Sequence, residues 1–244
     1  MTANQYPTDL VDLTTNDDGL RQHPPRLLVV HSFEGNPDIT TAAMMDYQSG
    51  RLPHQRTGSY HVVIDGRGVS GRENDNPFIP WAAGVTGNRI GLHVSLAGRA
   101  AFSREDWLRR VDQLRELARW LAWESRANSI PLRPCPVLEI PGDGRGVVSH
   151  ADLSRAFPHE TDHTDPGPNF PWAHVLELAA DEDPRTAPAP ARVGGSWHVV
   201  QPGETLSGLA SAYGASVKSL TAWNEIPDPD HIRVGQVLRV RPRQ

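Results

Sequence analysis

The 244-residue chain contains one cysteine, Cys135, which excludes an internal disulfide and a cysteine-rich metal site. It has no apolar run approaching the roughly 18 residues of a membrane helix, so no membrane insertion is expected. The net charge is −5 and basic residues never occur five in a row, which argues against nucleic acid as a partner. The first 20 residues lack the basic start and apolar core of a secretory signal peptide, so synthesis in the cytoplasm without such a signal is expected.

The composition is that of a folded chain, with 38% hydrophobic and 22% charged residues. Residues 181–196 are rich in proline, alanine and glycine, as in a tether between folded units. The predicted organisation is therefore a loosely attached acidic lead (1–20), a large domain (21–180), a linker (181–196) and a small domain (197–244), in a chain expected to be monomeric.

The large domain is predicted to be an α/β fold, a mixed central β-sheet flanked by helices. Short apolar runs predict strands, and Asp65-Gly66 is a strong hairpin signal; the predicted strands are 26–31, 60–64, 68–71, 90–96 and 147–148. A helix is predicted over 38–48. Apolar residues at helical spacing predict a second, long amphipathic helix, beginning at the capping-box pair Ser103 and Asp106 and running to about Leu121.

The small domain is predicted to be a βααβ unit, with short strands at 197–200 and 236–240 and helices at 205–213 and 216–224. It resembles a LysM module, whose V-x-x-G-[DE]-T-L-x-x-[IL]-A pattern begins here at Val200. The closing residues Val234-Gly235-Gln236 also match.

The LysM resemblance implies binding to the N-acetylglucosamine backbone of peptidoglycan through two loops. The candidate glycan-binding residues are Gly203, Glu204, Thr205, Leu206, His231 and Ile232. Thr205 is also a good helix cap, which is the favoured role for its side chain. The alternative is a small interaction domain without a sugar ligand.

Three residues of the large domain are candidate metal ligands. His31 and His150 each lie at the carboxyl end of a predicted strand, and Asp165 opens the Asp-Pro-Gly-Pro turn. Two imidazoles and one carboxylate would hold a tetrahedral Zn²⁺ with a fourth position left for water. Taken singly, each residue is more typical of a structural histidine or of a turn-forming aspartate.

The order of several short motifs resembles that of the zinc-dependent N-acetylmuramoyl-L-alanine amidases, the type-2 family related to peptidoglycan recognition proteins. The matching segments are Val29–Ser32, Gly58–Gly66, Trp81–Gly84, Asn88–Leu92, Ser149–Asp152 and Thr164–Trp172. The resemblance implies that His31, His150 and Asp165 bind zinc.

The same resemblance implies hydrolysis of the amide bond between N-acetylmuramic acid and L-alanine in peptidoglycan. Tyr60 is expected to orient the attacking water or to protonate the leaving amine. His163 stands where the family commonly has a lysine, and it is expected to stabilise the oxyanion, best when protonated. Lys218, the single lysine of the chain, lies in the LysM segment.

Other departures from the family pattern keep alternatives open. His93 occupies a strand position at which many members have glutamate. The segment between His150 and Asp165 is longer than usual, with residues 153–162 predicted as an enlarged loop, which leaves His159 or His163 as alternative ligands.

Two functional classes compete. The first is a peptidoglycan amidase that binds the cell wall. The favoured origin of such an enzyme is a phage, as an endolysin that acts on the bacterial cell wall after release, and the alternative origin is a bacterium. The other is a catalytically inactive peptidoglycan-binding or recognition protein, which would usually lack a zinc ligand. A zinc peptidase is disfavoured because the chain has no H-E-x-x-H motif.

Overall fold

The computed structural model describes residues 5–14, 16–48, 58–182, 197–200, 204–213, 215–224, 226, 228–232 and 236–240. The chain divides into two units. The first comprises Met1–Tyr6 with Asp12–Ala187, and the second comprises Pro7–Val11 with Pro188–Gln244.

The strands are short and the helices range from one to five turns. The strands are β1 (Leu10–Val11), β2 (Asp17–Leu20), β3 (Leu27–Ser32), β4 (Val62–Ile64), β5 (Ser70–Arg72), β6 (Phe78–Pro80), β7 (Gly91–Leu96), β8 (Gly146–Ser149), β9 (Trp197–Val199) and β10 (Val237–Arg239). The helices are α1 (Thr41–Gln48), α2 (Gly84–Ile90), α3 (Arg104–Leu108), α4 (Val111–Asn128), α5 (His150–Ala156), α6 (Trp172–Asp181), α7 (Leu206–Tyr213) and α8 (Val217–Trp223), with a 3₁₀ turn at Val137–Glu139.

The first unit is built on a mixed sheet in which neighbouring strands follow the order β5-β4-β7-β3-β8. Strand β3 runs parallel to both β7 and β8, β4 runs parallel to β7, and the β4–β5 hairpin is antiparallel. Every residue of β3, β7 and β8 is buried, because both faces of the sheet are covered. The predicted fold class is confirmed.

Alternate side chains of β3 serve two cores, one on each face of the sheet. Leu28 and Val30 join a cluster with the buried faces of α4 and α6. Leu27 and Val29 join a second cluster that includes Leu153 of α5. Because β3 and β8 are parallel, with Val30 opposite Ser149, their carboxyl ends meet at one edge of the sheet.

The predicted long helix from Ser103 is two helices, α3 and α4, separated by Arg109 and Arg110. The Ser103–Asp106 capping box forms as predicted. The break has a tertiary cause that helical periodicity does not encode: the Arg110 guanidinium donates hydrogen bonds to the carbonyl oxygens of Pro37 and Ala97. Within the described ranges, no helix combines the length and the apolar composition needed to cross a bilayer.

One further segment differs from the sequence predictions. The predicted loop at 153–162 begins as part of α5, which starts at His150 behind a capping box of Ser149 and Asp152. Described residues of the acidic lead also make specific contacts. Its β2 pairs with β6, and the buried Tyr6 donates a hydrogen bond to Glu116 at 2.8 Å.

The second unit contains the predicted βααβ elements. Strands β9 and β10 are antiparallel, with Val199 opposite Val237. Side chains from both helices and from β10 form a separate core, which includes Leu206, Leu209, Leu220 and Leu238.

A buried carboxyl group in α4 gives the first unit a specific pH dependence. Burial raises the pKa of Glu124 from 4.5 to about 8, against the opposing effect of hydrogen bonds from Asn76 and Asn128. The folded state therefore holds a proton that the unfolded chain releases, and stability falls as pH rises from about 4.5 to 8, by up to about 1.4 kcal/mol per pH unit.

Replacing Glu124 with Gln keeps the shape of the side chain and removes this titration. The free energy of unfolding of both proteins is measured by urea denaturation at pH 5 and at pH 8.5. Relative to the parent, Glu124→Gln should be more stable at pH 8.5 than it is at pH 5. An unchanged difference would show that Glu124 does not bind the proton.

Candidate metal centre

Three buried side chains, His31, His150 and Asp165, converge at the edge where β3 and β8 end. Nδ1 of His31 lies 3.1 Å from Nδ1 of His150 and 3.3 Å from Oδ2 of Asp165. Nδ1 of His150 lies 3.1 Å from Oδ1 of Asp165. Among the residues that the structure describes, this is the one group of three or more His, Cys, Asp or Glu side chains arranged to hold a metal ion.

Backbone contacts fix the loop that carries Asp165. The carboxylate accepts a hydrogen bond from the backbone N–H of Ser32 at 3.1 Å, and the Asp165 carbonyl accepts one from Ala151 at 3.1 Å. The φ of Gly167 is +94°. A Cβ atom on Gly167 would lie 2.0 Å from the carbonyl oxygen of Ala100. Only glycine fits there, so the Asp-Pro-Gly sequence sets the position of the carboxylate.

The protonation states of this cluster at neutral pH favour metal binding. Burial lowers the pKa of His31 to about 4, with Asp165 acting in the opposite direction. Burial alone would raise the pKa of Asp165, but the adjacent imidazoles of His150, His163 and His31 outweigh this effect and hold that pKa far below its usual range. At neutral pH the cluster therefore presents a neutral His31 imidazole and a carboxylate, the forms in which these side chains bind metals.

Each histidine of the cluster is held through its other ring nitrogen. Nε2 of His31 lies 3.0 Å from Nδ1 of His93, and Nε2 of His150 lies 2.7 Å from Oγ1 of Thr161. The neighbouring Glu160 ties this segment to α2, because its carboxylate accepts hydrogen bonds from the backbone and side chain of Thr86 at 2.6 Å. The sequence did not indicate Thr161 as a contact of His150, because this contact depends on the path of the chain after α5.

Tyr60 lies beside the cluster, with its ring centroid 4.9 Å from that of His31. Burial raises the pKa of its hydroxyl above the ordinary value of 10, and the Asp165 carboxylate adds to the effect, against a smaller opposing effect of Ser95. The hydroxyl is therefore protonated throughout the neutral range and is available as a hydrogen-bond donor.

His163 lies on the solvent side of the cluster. Its ring stacks on His150 at a centroid distance of 4.6 Å, and its Nδ1 lies 3.7 Å from Oδ1 of Asp165. Two clefts of about 340 and 500 Å³ share His163 and Asp162 in their walls. His163 and the exposed His159, the alternative ligands, lie outside the three-residue cluster.

The predicted glycan-binding residues of the second unit differ in accessibility. The Glu204 carboxylate lies 2.7 Å from Nε2 of the buried His198. Thr205 acts as a cap, since its hydroxyl oxygen accepts a hydrogen bond from the Gly208 N–H at 3.2 Å. In contrast to the prediction of a loop contact, the Leu206 side chain is buried, because it packs in the core of this unit.

The other predicted loop presents one exposed and one half-buried side chain. His231 is exposed and its Nδ1 lies 2.8 Å from the Asp228 carboxylate. Ile232 packs partly against the core. Gly203 lies outside the described residues.

The first unit thus combines an α/β fold with a buried His-His-Asp cluster that could hold a metal ion, and the second is a small βααβ unit. Residues 21–168 match the N-acetylmuramoyl-L-alanine amidase family model, and residues 198–241 match the LysM domain model. The chain belongs to the N-acetylmuramoyl-L-alanine amidase family and carries a LysM domain.

Two Bacillus subtilis proteins and one solved structure are similar to this chain. The N-acetylmuramoyl-L-alanine amidase XlyB is 54% identical over 41 residues, which is 17% of this chain and 13% of that protein. The amidase XlyA is 51% identical over 47 residues, which is 19% of this chain and 16% of that protein. The matched stretches thus span well under two thirds of these relatives. The crystal structure of the Staphylococcus aureus hydrolase AmiA with its ligand has a TM-score of 0.54 and 17% identity, covering 72% of this chain and 82% of that one, and it shows the shared fold.

Proposed function

We propose that the protein is a zinc-dependent hydrolase that cleaves the amide bond between N-acetylmuramic acid and the L-alanine of the stem peptide in peptidoglycan. The observation that carries this proposal is the convergence of His31, His150 and Asp165 at the edge of the sheet, in a chain of this family. An inactive recognition protein has no need of a complete ligand set.

The spacing of the three side chains supports zinc as the metal. Two ligands bonded at 2.0–2.1 Å to a tetrahedral zinc ion lie about 3.3–3.4 Å apart. The separations between the His31, His150 and Asp165 ligand atoms are 3.1–3.3 Å, close to this value. Two imidazoles and one carboxylate are also a ligand set used by catalytic zinc sites, in which the fourth position is left to water or substrate.

Zinc held by these residues would supply Lewis-acid activation of the attacking water and of the amide carbonyl. Tyr60, with its hydroxyl kept protonated, donates a hydrogen bond to the reacting groups beside His31 and directs a proton towards the leaving amine. His163, exposed between the two clefts, donates to the oxygen of the amide as charge develops there.

The two clefts that meet at His163 suit a substrate that extends on both sides of the scissile bond. The cleft of about 340 Å³ is lined by Trp81 and by the first residue of α2. The cleft of about 500 Å³ is lined by Arg155 and Trp172. A glycan strand with an attached stem peptide has this branched, extended shape. We assign the clefts together to the two sides of the muramoyl–alanine bond.

The LysM unit is proposed to bind the glycan of peptidoglycan through the loops around Glu204 and His231. Tethering to an insoluble substrate raises the effective concentration of the catalytic unit at the wall. The proposed site of action is the bacterial cell wall, as for an endolysin, and the proposed working form is a monomer.

The test is digestion of purified cell walls by the full-length protein with and without a metal chelator, followed by mass spectrometry. The proposal predicts stem peptides with a free L-alanine amino group, which disappear with the chelator and return when zinc is added. Walls that stay intact while the protein sediments with them would instead show a binding protein, and cleavage within the peptide would show a different hydrolase.

A further inference from the structure

His93 lies directly behind the proposed metal ligand His31. It is fully buried in β7, opposite Val29 of β3 in the register of the parallel pair. Its Nδ1 lies 3.0 Å from Nε2 of His31, and its Nε2 lies 3.1 Å from the carbonyl oxygen of Gly87. With no exposed surface, His93 has no access to a substrate in the clefts.

These two contacts determine which nitrogen of each ring carries the proton. The Gly87 carbonyl only accepts, so Nε2 of His93 is the protonated nitrogen and donates to it. Nδ1 of the neutral His93 ring is then an acceptor, and the facing Nε2 of His31 is the donor. His31 is left with an unprotonated Nδ1, the atom that faces His150 and Asp165.

The surrounding backbone holds the His93 ring in this position. Its backbone N–H donates to Nδ1 of the buried His61 at 2.9 Å. Gly91 leaves the space that the ring fills, since a Cβ on Gly91 would lie 2.7 Å from Nε2 of His93. The ring is therefore confined between the carbonyl at one end and His31 at the other.

We propose that His93 is a positioning residue that fixes the tautomer of His31 and so presents its Nδ1 lone pair to the metal. This inference rests on the proposed metal binding and goes beyond it, because it assigns a role to a histidine that touches neither metal nor substrate. Partners of this kind typically change metal affinity by 10–100-fold.

Two variants of similar size separate this role from simple packing. In His93→Asn the side-chain oxygen takes the place of Nδ1 and still accepts from His31, whereas His93→Leu offers no acceptor. Both lose the contact to Gly87. Zinc affinity of the full-length proteins is measured by competition with a chromogenic chelator, alongside thermal melting of the metal-free forms, with His23→Leu, which changes an exposed histidine, as the control.

His93→Leu is expected to weaken zinc binding about 10–100-fold. His93→Asn and His23→Leu should stay within about threefold of the parent. Equal zinc affinities of the Leu and Asn variants, whether both parental or both weakened, would overturn the proposal.

A second measurement covers the case in which His93→Leu does not fold. In the metal-free parent, nitrogen NMR of the labelled imidazoles should show His31 protonated at Nε2, and protonation at Nδ1 would overturn the proposal. Wall hydrolysis is scored separately. A parent that binds zinc with the expected variant pattern but leaves walls intact would contradict the proposed activity and not the role of His93.

Discussion

An Asp165→Asn variant is expected to lose zinc binding and wall hydrolysis together, each by more than about 100-fold. The reason is that Asp165 supplies the only negative charge of the three-residue cluster, and its two oxygens face both Nδ1 atoms at 3.1 and 3.3 Å. Loss of a partner one shell further out already costs about 10–100-fold in metal affinity. An amide of the same shape would keep the fold of the loop but replace one oxygen by a donor.

The control for this variant is Asp143→Asn, which removes the charge of an exposed aspartate on the loop before β8. Zinc content after dialysis and the rate of release of stem peptides are measured for both proteins. Parental zinc content in Asp165→Asn would contradict the assignment of the ligands, and parental hydrolysis without zinc would contradict the metal-dependent reaction.

Tyr60→Phe is expected to lower the hydrolysis rate by about 100-fold or more while zinc affinity stays parental, since general acid–base groups contribute about 10²–10⁴-fold. The variant keeps the ring that lies 4.9 Å from the His31 ring and removes only the hydroxyl. The raised pKa of that hydroxyl makes it a donor across the working pH range.

Tyr47→Phe provides a matched control, because Tyr47 is exposed and its ring contacts Phe33 rather than the cluster. Rates are compared at saturating wall concentration, so that changes in binding do not enter. A Tyr60→Phe rate within about threefold of the parent would exclude Tyr60 from the proton-transfer step, for which at least about 100-fold is expected.

The features that sequence predicted well are those with a local cause. Residues 27–30 form an apolar run because β3 is buried on both faces, and such a run can be recognised from the sequence alone. The Asp65-Gly66 hairpin and the Ser103 capping box also depend on neighbouring residues alone. The ordered family motifs then placed His31, His150 and Asp165 in one candidate set.

The features that sequence missed depend on contacts between distant residues. The break between α3 and α4 is held by Arg110 reaching carbonyl groups on other segments. Tyr6 gave no signal, since its partner Glu116 lies 110 residues away. The place of His93 behind His31 follows from the register of β3 and β7, which a single strand pattern does not fix.

The most direct test of the central claim is zinc-edge X-ray absorption on the full-length protein loaded with zinc and freed of excess. The three-residue site predicts one zinc per chain, surrounded by nitrogen and oxygen at about 2.0–2.1 Å with imidazole scattering and without sulfur. A sulfur shell near 2.3 Å, or a protein that retains no zinc, would contradict the account.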